Sequence, residues 1–502
     1  MNPPDGSCAD DGGDSRDATA RPHVSLREAL AFWFKLGFIS FGGPAGQIAL
    51  MHEHVVERAR WISEKRFLHA LNYCMLLPGP EAQQLATYLG WLMHRSVGGI
   101  AAGMLFILPS FLLIALIAWA YLIYGHLPWV SGLLDGIKPA VVALVLAAGW
   151  RMGGRTLRTR PLAAIALGAF VSLDVFNLPF PLVIGAAALL GLLFQPAGAA
   201  AAHGPPQAPS GARTGARTGA QASPQTDAQT VPQTGPHAVP GPVTHELTGS
   251  PSHAAESRAR IIIDDDTPPP EHARLRATRL FTLVIAGLAL WAAGWALCRA
   301  IVPGNDLLPD MAGFFTRAAL LTFGGAYAVL PYVHQAAVEH YQWLTAAQML
   351  DGLALGETTP GPLIMIVTFV GFIGGFTREI FGADQAAAAG WAAATAATFF
   401  TFLPSFIFIL VGGPLVESTR SLPRLDRALS AITAAVVGVI ASLAFTLAQT
   451  VLWRAELGTP DWYACAATVL ATWLLIVRRT SVIATIALFG AAGVALSLSG
   501  MR

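Results

Sequence analysis

The sequence predicts an all-α polytopic membrane protein made of two inverted-topology repeats with broken or re-entrant helices, and three observations predict it. Of its 502 residues, 54% are hydrophobic and only 12% charged, with a mean hydropathy of +0.54; a soluble domain carries about a quarter charged residues. No Asp, Glu, Lys or Arg occurs between Arg95 and Asp135, between Asp384 and Glu417, between Arg427 and Arg454, or from Thr480 to Met501. Runs of that length suffice, since about 20 apolar residues cross the hydrocarbon of a bilayer. The third observation is an internal duplication. Phe41-Gly42-Gly43 recurs as Phe323-Gly324-Gly325 (323 − 41 = 282), and Trp61 with Trp343, and Pro78-Gly79-Pro80 with Pro360-Gly361-Pro362, keep the same spacing. Beyond an insertion around 377–389, Leu108-Pro109-Ser110-Phe111 matches Leu403-Pro404-Ser405-Phe406 (403 − 108 = 295), and Ala140-Val141-Val142 matches Ala435-Val436-Val437 at that spacing.

Taken in order, residues 1–24 carry Asp5, Asp10, Asp11, Asp14 and Asp17 ahead of any apolar stretch. They lack the basic start and early apolar core of a signal peptide and are expected to form a disordered cytoplasmic tail. Residues 25–194 form the first repeat. Its segments 29–51 and 67–93 are interrupted by Phe-Gly-Gly-Pro and Pro-Gly-Pro and are expected to break or to return to their starting side. Full spans follow near 98–124 and 133–150, with a tight pair within 161–194. Residues 195–279 read as a disordered linker: from Pro196 to Leu280 there is no Phe, Tyr or Trp, too little apolar surface to offset the entropy of ordering. The second repeat, 280–502, has spans near 280–298, 388–412, 429–452, 462–477 and 481–499. Ser63 and Thr345, each two residues after its Trp, put a hydroxyl where a helix N-cap belongs.

Lys and Arg set the orientation. The loop 52–66 carries Arg58, Arg60, Lys65 and Arg66, while its counterpart 334–348 has neither Lys nor Arg. The bias then reverses, with no charge in 118–133 against Arg420, Arg424 and Arg427 in 413–428, and reverses again at Arg151, Arg155, Arg158 and Arg160. By the positive-inside rule the halves are expected to lie upside down relative to each other, an architecture of secondary transporters, with the N-terminus cytoplasmic and the chain in the cell (inner) membrane.

Glycine lets the backbone leave a helix and proline removes a donor, so each motif should unwind its segment. Unwound backbone survives in lipid only where protein or a watery cavity shelters it. Proline also suits the first turn of a new helix, so each motif implies a half-helix N-terminus within the membrane, whose free N–H groups favour an anion. The alternative for one isolated motif is a packing kink; four in symmetric positions favour a site.

These residues resemble the chromate ion transporter family, in its long form with two fused homologous halves. The carrying stretches are Phe38-Ile-Ser-Phe-Gly-Gly-Pro44, Leu77-Pro-Gly-Pro-Glu-Ala-Gln-Gln-Leu-Ala-Thr-Tyr-Leu-Gly-Trp91 and Gly356-Glu-Thr-Thr-Pro-Gly-Pro362. The resemblance implies export of chromate, with sulfate-like oxyanions as competitors, driven by protons or by a counter-transported ion.

A tetrahedral dianion fits the physical reading. Each buried charge costs about 2.5–3.5 kcal/mol, and one helix N-terminus returns roughly 0.3–1 kcal/mol, or about 2 when buried, so two or more termini plus a cation are needed. The substrate-binding candidates are therefore Phe41, Gly42, Gly43, Pro78, Gly79, Pro80, Gln83, Phe323, Gly324, Gly325, Pro360, Gly361 and Pro362. Lys35 and Arg317, equivalent positions six residues before each Phe-Gly-Gly, are either anion-attracting cations or side chains snorkelling to headgroups. Glu81 and Glu357, carboxylates beside the Pro-Gly-Pro motifs, are the proton-coupling candidates, with helix capping the alternative for Glu81. Asp135 and Lys138 are expected to pair on one helix face.

Composition also excludes. A balance of 31 basic against 30 acidic residues leaves no basic face for nucleic acid. Four scattered cysteines give no disulfide framework, zinc site or dithiol centre. His52-Glu53-His54 is too weak a signal for a metal. An integral-membrane enzyme would need a cluster of catalytic side chains, and neither such a cluster nor a flavin or nicotinamide fingerprint is visible. The expectation is a transporter without cofactor or metal. A channel, or a carrier for sulfate or another anion, is the alternative.

Overall fold

The computed structural model describes residues 24–41, 43–193, 262–264, 272, 276–323, 325–416, 423–454 and 459–499. Gly42, Gly324, the N-terminal tail up to residue 23 and most of the 195–279 segment lie outside these. The first half contains α1 (Leu26–Ile39), α2 (Gly43–His52), α3 (Glu64–Leu76), α4 (Glu81–Tyr124), α5 (Pro128–Thr156), α6 (Arg160–Asp174) and α7 (Phe180–Leu193). Then come α8 (Ala277–Ile301), α9 (Leu307–Leu320), α10 (Ala326–His334), α11 (Ala346–Thr358), α12 (Ile366–Thr377), α13 (Ala386–Val416), α14 (Pro423–Leu452), α15 (Trp462–Ile476) and α16 (Val482–Leu498). Among the described residues the only strands are the two-residue pair Trp453–Arg454 and Thr459–Pro460. Five helices, α4, α5, α8, α13 and α14, are long and apolar enough to cross a membrane; four shorter apolar helices of 10–17 residues accompany them.

Local chemistry explains the boundaries. Ser25 caps α1 by accepting from the Glu28 N–H at 3.2 Å, and Ser63 caps α3 from Arg66 at 3.3 Å. Thr345 and Gln348 form a reciprocal capping box on α11, at 3.2 and 2.8 Å. Each repeat also contains a π-helical turn, Glu53–Arg58 and Gln335–His340, again 282 apart. Each turn is followed by a non-glycine residue of positive φ, Arg60 and Gln342, both at 52°.

The run Glu81–Tyr124 is 44 residues long, about 66 Å as a straight helix, twice a bilayer core. It is not straight. His94 and Arg95 leave helical geometry, Arg95 with φ 58°, and the two limbs pack against each other. A β-carbon on Gly99 would meet Trp91, and one on Gly90 would meet Ala102. Small residues thus let the limbs Glu81–Met93 and Ser96–Tyr124 lie side by side as a hairpin. In the second half, α12 and α13 repeat this packing through Gly371 against Ala397 and Gly375 against Ala393. The insertion read from the sequence at 377–389 is their connection, Arg378–Gln385.

A second shift was not legible. α6 and α7 correspond to α15 and α16 at a spacing of 302 (462 − 160; 482 − 180). The seven extra residues (302 − 295) fall at the strand pair between α14 and α15. The halves also exchange partners: α5 packs on α15 and α16, while α14 packs on α6 and α7. Gly136 sits against Gly493, and Gly438 against Ala166.

Part of the segment read as a linker is tied down. Ile262 and Ile263 donate to the Arg60 and Trp61 carbonyls at 3.1 and 3.0 Å, and Ser63 donates back to Ile263 at 3.1 Å. Farther along, the His272 ring lies 3.0 Å from the Trp91 carbonyl.

Candidate functional site

Four interruptions separate α1 from α2, α3 from α4, α9 from α10, and α11 from the short turn Leu363–Met365 that leads into α12. Each interruption leaves backbone N–H and C=O groups without helical partners, and these must be satisfied elsewhere. They pair across the halves. The Gly79 N–H donates to the Thr322 carbonyl at 2.7 Å, and the Gly361 N–H donates to the Ser40 carbonyl at 2.9 Å. Ser40 and Thr322 are equivalent (322 − 40 = 282), so the Pro-Gly-Pro bend of each half is hydrogen-bonded to the Phe-Gly-Gly approach of the other. Gly79 and Gly361 have φ of 128° and 114°, conformations that a side chain would oppose.

Side chains pin these bends. Gln84 donates from Nε2 to the Pro78 carbonyl at 2.7 Å. Gln47 donates from Nε2 to the Gly361 carbonyl at 2.5 Å and more weakly, at 3.4 Å, to that of Ser40. Gln83, fully buried, spends its amide on the Thr87 hydroxyl at 2.9 Å. The side-chain oxygens of Gln47, Gln83 and Gln84, and the hydroxyls of Ser40, Ser110 and Ser405, are buried without a hydrogen-bond partner. Ser110 and Ser405 lie directly over Gly361 and Gly79.

Glu81 opens α4, and its two carboxylate oxygens lie 3.6 Å from the point where a β-carbon on Gly325 would sit. It therefore faces the Phe-Gly-Gly of the opposite half. Glu357 accepts from the Tyr327 hydroxyl at 2.9 Å. Lys35 and Arg317 are both exposed. Lys35 lines a shallow cavity of about 300 Å³ with Phe32, His54 and Arg58, and Arg317 donates to the Gly313 carbonyl and the Tyr341 hydroxyl. The cross-half bonds thus set Pro78–Glu81 against Thr322 and Gly325, and Pro360–Pro362 against Ser40, while both of these cations are exposed. Phe41 is exposed, and Phe323 packs against a hydrophobic core built from both halves.

A second buried polar group was missed by sequence reasoning. Lys138 pairs with Asp135 at 2.9 Å, as the i,i+3 spacing implies, and it also reaches Asp351 on α11 at 3.6 Å. Asp351 is only 4% exposed and accepts from the Tyr121 hydroxyl at 2.9 Å. Tyr121 and Lys138 belong to the first half and Asp351 to the second, so this network also crosses between halves. The two imidazoles of His52-Glu53-His54 have separate partners: His52 meets Glu64 at 2.5 Å, and His54 stacks on Phe32 at 4.0 Å. Among the described residues no group of three His, Cys, Asp or Glu side chains is arranged to hold a metal.

The comparisons with known proteins agree with the motifs. Residues 27–192 and 309–494 match the Chromate transporter family, one segment per half. The chain is 29% identical over 441 residues to the chromate transport protein of Pseudomonas aeruginosa, covering 86% of this chain and 84% of that protein. It is 25% identical over 428 residues to the chromate transport protein of Cupriavidus metallidurans, with 85% and 84% covered. No solved structure matches. Two family matches, one over each half of a helical, multi-pass membrane chain whose motifs fall at the junction of those halves, make this protein a member of the chromate transporter family in its long, two-domain form, a transporter and not an enzyme.

Proposed function

We propose that this protein is a secondary active transporter that exports chromate, with sulfate and similar oxyanions as competitors, and that protons or a counter-transported ion drive it. The observation that carries this reading is the reciprocal pair of bonds, Gly79 to Thr322 and Gly361 to Ser40. Each bond sets a helix start of one half against the interrupted backbone of the other, which supports a dianion site drawing on helix starts from both halves. The carboxylates Glu81 and Glu357 stand at the edges of that junction and are the groups we assign to proton coupling. Wild-type inverted vesicles should accumulate chromate, and an imposed proton gradient should increase that uptake. Glu81→Gln combined with Glu357→Gln should cut gradient-driven uptake about tenfold or more while equilibrium binding changes by less than about threefold. Unchanged pH dependence in the double variant would remove the carboxylates from the coupling path and leave the anion site standing.

The repeats are inverted in this reading. Among the described residues α8 has no counterpart in the first half, and one additional crossing between two like units turns the second upside down. The helical hairpins at the start of each half act as re-entrant elements, and the connections rich in Arg then fall on the cytoplasmic side. A cysteine placed in 52–66 should react with an impermeant reagent only from the cytoplasm, and one in 334–348 only from outside. Labelling of both from one side would refute the inversion. The tail and the undescribed part of the linker are assigned no part in transport.

A further inference from the structure

Ser110 and Ser405 are equivalent positions (405 − 110 = 295), each directly after a proline inside a long helix, α4 and α13. Ser110 lies fourteen residues from either end of the limb Ser96–Tyr124 (110 − 96; 124 − 110), at the middle of a span. Ser110 is 1% exposed and Ser405 0%, and neither hydroxyl has a hydrogen-bond partner. That is unusual for a helical hydroxyl, which ordinarily donates to the carbonyl one turn back. Thr398 and Thr401, on the same helix as Ser405, do so at 2.8 and 2.7 Å. A buried polar group left unpaired is destabilising, and its persistence calls for a reason. Here it occurs twice, at symmetric positions, each time over the Pro-Gly-Pro of the opposite half. A β-carbon on Gly361 would lie 2.5 Å from the Ser110 hydroxyl, and the Ser405 hydroxyl crowds the same point on Gly79.

We propose that Ser110 and Ser405 are direct hydrogen-bond donors to the transported oxyanion, one from each half, each holding it against the Pro-Gly-Pro bend of the opposite half. The proposal rests on the oxyanion-transport reading and adds the ligands which that reading lacked. A tetrahedral dianion presents only acceptor oxygens, and a hydroxyl can donate to it without bringing a buried charge of its own. Two donors related by the repeat would let the anion keep one contact as the halves rearrange. The hydroxyls have no partner within the protein because their acceptor is the cargo.

The test compares Ser110→Ala, Ser405→Ala, Ser110→Thr and Ser405→Thr. Chromate and sulfate binding is measured on the purified full-length protein, and saturation of uptake in inverted vesicles. Each Ala variant should raise the dissociation constant and the half-saturating concentration about tenfold to a hundredfold, with the maximal rate much less affected. Each Thr variant, which keeps the hydroxyl, should remain within about threefold of wild type. Ala variants with unchanged affinity overturn the proposal. So does a fall in maximal rate alone, which would make the serines packing or gating residues. If an Ala variant fails to insert, the near-isosteric Ser→Cys replacement, a weak donor, should show the same loss of affinity, and wild-type affinity in it overturns the assignment. A wild-type protein that binds neither anion overturns both readings. One that binds but is not driven by a gradient overturns only the coupled-transport reading, and the comparison of serine variants still decides this proposal.

Discussion

Gly79→Val and Gly361→Val should each abolish transport, to below about one hundredth of the wild-type rate, in protein that still reaches the membrane. Three effects act together at each glycine. The backbone sits at φ 128° or 114°, where an L side chain is opposed by about 1–2 kcal/mol. The new β-carbon would meet the Gln84 amide at 2.6 Å and the Ser405 hydroxyl closer still, or Ser110 in the case of Gly361, and overpacking of this kind costs about 1–3 kcal/mol. Finally, the shift needed to relieve the clash pulls on the N–H that bonds to the other half. Gly43 is the internal control. Its φ is also positive, at 70°, but a β-carbon there would find nothing within 4 Å. Gly43→Ala should therefore retain most activity while Gly79→Ala already loses most of it. Equal tolerance at the two sites would show that the close approach at the Pro-Gly-Pro bend is incidental.

The repeat was legible because its anchors are residues with unusual backbone requirements, Gly, Pro and the Trp after a positive-φ turn. Such residues are hard to replace and so leave a pattern at fixed spacing. α6, α7, α15 and α16 carry no such anchors; they are smooth apolar helices, and the seven-residue shift at the strand pair left no trace in the motifs. What the Gly79 and Gly361 N–H groups would bond to was not readable from Pro-Gly-Pro, because the acceptors are backbone carbonyls of ordinary residues, Ser40 and Thr322, in the other half. Ser110 and Ser405 were visible as repeat anchors but had no chemistry attached, since a serine after a proline reads as packing. Lys35 and Arg317 stood out as equivalent charges near a motif, and both are exposed, which spacing alone did not indicate. Spacing along a helix fixes the face a residue occupies only when the neighbours of that helix are known.

Asp351 shows the same limit from the opposite side, and its partner gives a prediction of comparable size. Lys138 sits between Asp135 on its own helix and Asp351 on α11, 2.9 and 3.6 Å away. Lys138→Met should destabilise the protein by about 3–5 kcal/mol, because it leaves a buried carboxylate with no cation beside it. The Tyr121 hydroxyl, 2.9 Å away, remains as a donor but cannot offset the charge. Asp351→Leu combined with Lys138→Met should recover more than half of that loss, since a buried ion pair replaced by apolar side chains is often close to neutral in stability. Thermal unfolding in detergent of the two single variants and the double variant measures the coupling directly. Function should separate from stability in the same set. The network joins α4 and α5 of the first half to α11 of the second, roughly 10 Å along α11 from its break. The equivalent positions in the opposite half carry His69, Val416 and Thr433, so the Tyr, Lys and Asp of this network do not recur there. In the proposed carrier, alternation between faces opens one side at a time, and the side held by the ion pair should open less readily. The double variant should therefore be nearly as stable as wild type yet exchange anion faster across that side in counterflow. Wild-type counterflow in a stable double variant would reduce the network to a packing element, and wild-type stability in Lys138→Met would mean that Asp351 needs no cation at all.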